Sequence, residues 1–173
     1  ELLMRQTGIV ALHAVTTANA LRYAYNVSGD DQTRLLALLQ TAAFLPMFRA
    51  AMEGRGAVAD DRIADLQPAD AAVGLDDVFH TLGSDRRAAV RQALRLLEDA
   101  DDARPFIDAA RVLVFLKGND AHDYKFSSAV LEDYYNVSPR FRNGYLAANV
   151  VNLRSSAQRD NALVERTRAA LAS

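Results

Sequence analysis

Apolar residues recur at helical spacing along nearly the whole chain, and no stretch alternates apolar and polar positions long enough to mark a β-strand. Residues 2–26 read as a first helix, apolar almost all round through Leu2, Leu3, Ile9, Val10, Leu12, Val15, Leu21 and Tyr25, as expected of a buried element. The turn Asn26-Val27-Ser28-Gly29-Asp30-Asp31 supplies caps for a second helix over 31–53, dense in leucine and phenylalanine, with Pro46 predicted to kink or interrupt it. Two long apolar helices joined by a short turn predict an antiparallel hairpin. The pattern weakens from Gly54 to Gly74, a surface loop or lid with one short helix near 60–66. Shorter helices are expected over 75–82, from a Ser84 cap to 98, from Pro105 to 117, from Asn119 or Asp120 to 136, from Ser138-Pro139 to 153, and over 157–172. The predicted class is all-α, a multi-helix orthogonal or antiparallel bundle spanning 1–173 as a single domain.

Composition narrows the function classes. Half of the residues are apolar, 24% are charged, and the net charge is −2, which gives no electrostatic case for nucleic acid. Abundant alanine with only eight glycines and four prolines favours helix throughout. There is no cysteine, hence no disulfide, no thiolate ligand and no thiol nucleophile; any metal must rest on nitrogen and oxygen donors. No apolar run reaches the roughly 18–20 residues that cross a bilayer, so no membrane role is expected. The chain starts at Glu1, already inside a helical pattern, as a processed product or the ordered remainder of a longer protein would. The lack of a signal peptide there is uninformative, and the cytoplasm is the favoured compartment by default.

The most informative stretch is Lys117-Gly118-Asn119-Asp120-Ala121-His122-Asp123-Tyr124-Lys125-Phe126. Gly-Asn-Asp is a helix-start signal, and residues three apart share a helix face, so His122 and Lys125 can point at one object. In a first turn the positive end of the helix dipole favours a neutral imidazole, the form that binds metal. The ordinary reading is a surface or capping histidine. The second stretch, Ala11-Leu12-His13-Ala14-Val15-Thr16-Thr17-Ala18-Asn19-Ala20-Leu21-Arg22, sets His13 in mid-helix among apolar and small residues. A buried imidazole there needs a partner, since an unsatisfied polar group costs about 1–3 kcal/mol. A backbone carbonyl or a neighbouring hydroxyl is the ordinary partner; a metal or small ligand is the alternative.

Leu12-His13-Ala14-Val15-Thr16 with Ala20-Leu21-Arg22 resembles the His-[Ala/Gly]-Val-Thr…Ala-Leu-Arg segment of the questin oxidase-like family. Gly118-Asn119-Asp120-Ala121-His122-Asp123-Tyr124-Lys125-Phe126 is similar to that family's Gly-Asp-x-His-x-x-Lys-Phe segment, with one extra residue between Gly118 and His122. Thr17-Ala18-Asn19 also stands where the family has a more Gly/Pro-like run. The likeness covers most of this chain but only the C-terminal half of a typical member. It implies flavin-independent oxidation of an aromatic or quinone-like small molecule, by Baeyer–Villiger-type oxygen insertion or ring cleavage. It further implies a non-haem iron centre, or another divalent metal, with His13 and His122 as ligands and Lys125 as a carboxylated lysine. As a carbamate Lys125 would supply a hard oxygen donor, which a free ammonium cannot. Asp123 and Tyr124, beside these residues, complete the candidate catalytic set with Lys125, and Thr16 is placed to orient a ring or bound water. Further histidines would have to come from an N-terminal half or a second chain.

Two other readings stand beside this one. His122-Asp123 is the adjacent pair of a metal-dependent phosphohydrolase, with His80 upstream and Asp133 or Asp160 downstream. A helical interaction module without metal is the third. His80 is otherwise read as structural or exposed, Arg22 as a counter to a substrate phenolate or an acidic neighbour, and Tyr134, Tyr135 and Phe126 as helix-interface residues.

Overall fold

A computed structural model describes residues 1–172, which are α-helical and short-turn structure with no strand among them. The contacts divide the chain into two compact units, Glu1–Arg62 and Ile63–Ser173, where the sequence is read as one domain.

In the first unit the expected helix over 2–26 is two: α1 (Leu2–Arg5) and α2 (Ile9–Val27). The break at residues 6–8 has a tertiary cause. Arg5 Nε donates to the Ala59 carbonyl at 2.7 Å, the Arg5 carbonyl accepts from Ala59 N–H, and Gln6 Nε2 donates to the carbonyls of Gly56 and Ala57. Those bonds hold the chain out of helical register, and Gly8 lets it restart. After a turn at Ser28, Asp30 caps α3 (Asp31–Glu53), accepting from Thr33 N–H at 2.7 Å. α2 and α3 pack together as the expected hairpin. The helix runs through Pro46 uninterrupted, although the ring removes the donor to the Ala42 carbonyl and crowds that oxygen. Ala37, Thr41, Phe44, Phe48 and Met52 form its inward stripe at helical spacing. By length and composition α3 could cross a membrane, which corrects the expectation that no segment could.

Among the described residues the second unit holds six shorter α-helices. They are α4 (Leu75–Thr81), α5 (Arg86–Asp99), α6 (Arg104–Lys117), α7 (Ala121–Asp133), α8 (Arg142–Asn149) and α9 (Ala162–Leu171). Its core is the packing of α5 against α4 and α8 and of α6 against α7, with Phe79, Ile107, Phe126, Leu131 and Leu146 at 2% exposure or less. The Phe79 and Phe106 rings stack 4.9 Å apart. Asp85, not Ser84, caps α5, accepting from Ala88 N–H at 2.9 Å, while Ser84 Oγ turns back to the Thr81 carbonyl. The expected helix over 138–153 is an α-helix between two 3₁₀ turns, Pro139–Phe141 and Val150–Asn152. The last helix starts at Ala162, later than the expected 157, because Asn161 is its cap.

Candidate functional site at the α6–α7 corner

The corner between α6 and α7 is built by short polar side chains. Asp120 caps α7, accepting from the N–H groups of His122 (2.7 Å) and Asp123 (3.3 Å). Asp123 reaches back to accept from Asn119 N–H (2.8 Å) and Asp120 N–H (3.4 Å), which closes a capping box. The other Asp123 oxygen pairs with Arg154, a residue that no sequence spacing singled out. Burial holds the Arg154 guanidinium below its ordinary pKa.

Gly118 is buried at the bend. A Cβ there would lie 2.4 Å from the Val114 carbonyl oxygen and 3.3 Å from the Tyr124 ring, so only glycine fits this close approach. Asn161 fastens the bend from the far side. Its Nδ2 donates to the carbonyls of Phe115 (2.8 Å) and Gly118 (3.0 Å), and its Oδ1 accepts from Leu163 and Val164 N–H. Lys117 binds Asp160 at 2.7 Å, Arg168 pairs with the same carboxylate, and these cations hold the Asp160 carboxyl below the usual range.

The candidate residues fall as follows. His122 is half exposed, with Nδ1 3.5 Å from an Asp120 oxygen, and Lys125 is exposed on the same side of α7, one turn on. Asp123 is nearly buried and engaged in the cap and the Arg154 pair. Tyr124 donates to the Gly118 carbonyl at 3.2 Å and lies 6.1 Å, centroid to centroid, from Phe115. Those two rings, with Arg111, Val114, Ser127, Ser128, Leu131 and Glu132, line an open cavity of about 480 Å³. His80 is exposed on α4. In the first unit His13 is half-buried on α2, and Thr16 Oγ1 bonds the His13 backbone carbonyl at 3.4 Å rather than orienting the ring.

Among the described residues no three His, Asp or Glu side chains gather as a metal-binding group. Within the second unit the corner carries one imidazole, one amine and the Asp120 carboxylate beside the imidazole, a partial set for an ion that takes nitrogen and oxygen ligands. The imidazole and the amine both stand exposed on one side of α7. Comparison with family models, with curated proteins and with solved structures finds no match.

Proposed function

We propose that this chain is the helical portion of a metal-dependent oxidoreductase of the questin oxidase-like kind, acting on an aromatic or quinone-like small molecule. The observation that carries the reading is the presentation of His122 and Lys125 side by side on the open face of α7. The turn beneath them is pinned by Asp120, Asp123 and Arg154, which gives the pair a fixed base. His122 would hold the ion through imidazole and Lys125 through a carbamate oxygen. A bound iron supplies the redox chemistry. Tyr124 and Phe115 offer ring faces to an aromatic substrate in the neighbouring open cavity. In this reading Asp123 is a positioning residue, and the same commitment counts against its use as a phosphohydrolase ligand.

Metal content tests the proposal. Purified protein loaded with ferrous iron and desalted is expected to keep near-stoichiometric iron, and His122→Ala to lose it with unchanged helical circular dichroism. Iron retained by the variant, or none retained by the parent, overturns the assignment.

A further inference from the structure

A second cavity, open and of about 510 Å³, lies in the second unit between residues 82–87 and residues 151–155 with Gln158. Short polar bonds fix one of its walls to the fold. Ser155 Oγ donates to the Phe79 carbonyl at 2.8 Å and accepts from Ala157 N–H, and Ser156 N–H donates to the same carbonyl at 3.1 Å. The two walls meet at Gly83, where a Cβ would stand 2.8 Å from Ser155 Oγ and 3.1 Å from the Ala157 methyl. The concavity is therefore set by the fold, and a ligand does not have to build it.

The charge around it runs against that of the chain. The sequence is net −2, yet Arg86, Arg87 and Arg154 line this cavity against one carboxylate, Asp85. Asp85 Oδ1 is already taken by Ala88 N–H as the cap of α5. Like charges gathered around one concavity focus a positive potential into it, which concentrates anions there. A guanidinium has five N–H donors, so one engaged along one edge still presents another.

Arg154 points to the ligand most directly. Its side chain is 24% exposed, Nη2 pairs with Asp123, and Nε is buried with no partner. Taking a cation out of water is offset only by charge and hydrogen bonds, and here the one paired carboxylate also serves the amides of the α7 cap. An anion on the cavity side would complete that balance. Gln158 adds a neutral donor, because its Oε1 accepts from Ser155 N–H and its amide N–H groups are left to give. Several guanidinium forks around one space match an oxyanion with several oxygens, phosphate above all. The volume falls in the range of small-molecule sites and is more than a bare phosphate fills.

We propose that this cavity binds a small phosphorylated molecule, with its phosphate held by Arg86, Arg87 and Arg154. Pyrophosphate is the probe. In calorimetric titration of the full chain at fixed ionic strength it is expected to bind with a dissociation constant below about 1 mM. Arg86→Gln/Arg87→Gln should weaken it about tenfold or more with unchanged circular dichroism. Arg140→Gln/Arg166→Gln removes the same charge from exposed positions outside the cavity and should leave binding within about twofold. The Arg154 Nε–H resonance gives an independent readout and should shift as pyrophosphate is added. Absence of binding overturns the proposal, and so does equal weakening in the two double variants, the mark of diffuse attraction. A resonance that stays put while pyrophosphate binds places the site elsewhere. Binding to phosphatidic acid vesicles without binding to pyrophosphate defeats the reading as well, since it assigns the charge to a lipid surface.

Discussion

The two long helices of the first unit and the short helices of the second use apolar residues in opposite ways. On α5, Ala89, Val90, Ala93, Leu94 and Leu97 form one buried stripe, and arginine and acidic residues cover most of the rest. On α3 the buried stripe is mostly alanine and phenylalanine, and the leucines stand outside. Apolar residues make up 7 of the 14 positions of α5 and 14 of the 23 of α3, and the sharper difference is their placement. A helix whose apolar residues fill one stripe is finished by its own domain, whereas one with leucine on the remaining faces is finished by something else.

Truncation mutants sharpen the contrast. Leu146→Ala in the second unit removes a side chain with no exposed surface and should cost about 2–5 kcal/mol in a urea melt. The same change at Leu36, more than half exposed, should cost under about 0.5 kcal/mol in dilute solution. Similar losses at the two sites would erase the distinction drawn here. Next in size is Asn161→Ala. It removes a helix cap and two side-chain bonds to carbonyls at the α6–α7 corner, for an expected loss of about 2–3 kcal/mol. Amide exchange at Leu163 and Val164 should rise with it; an unchanged melt would show that the corner stands without this staple.

The smallest effect is electrostatic. Lys117 and Arg168 depress the Asp160 pKa, so the stabilisation is present above the unfolded carboxylate value of about 3.9 and is lost as pH falls through the lower folded value. Asp160→Asn should therefore flatten the acid limb of a stability–pH curve below about pH 4. A curve that keeps its slope in the variant assigns the acid sensitivity to another carboxylate.

Much of the architecture was legible from helical periodicity and cap chemistry, because a cap is a local matter. Asp30, Asp120 and the proline at the start of α6 act where the sequence puts them. The misread boundaries are those set by distant partners. The break at Gln6 depends on residues 56–59, and the late start of α9 on an asparagine that also serves α6. At the corner, the common face of His122 and Lys125 followed from spacing alone. The engagement of Asp123 did not, since its partner lies thirty-one positions away and only tertiary packing brings Arg154 to it. Gly118 was read as a helix-start signal, yet its steric role is set by the Val114 carbonyl and the Tyr124 ring.

The bend that carries His122 is closed by residues 154–161, downstream of it in the sequence. Arg154 takes Asp123, the Gln158 carbonyl and Asp160 take Lys117, and Asn161 takes Phe115, Leu116 and Gly118. A ribosome delivers residues 115–123 well before it delivers these clasps. A nascent chain that has not yet delivered residues 154–161 therefore holds this bend without its clasps.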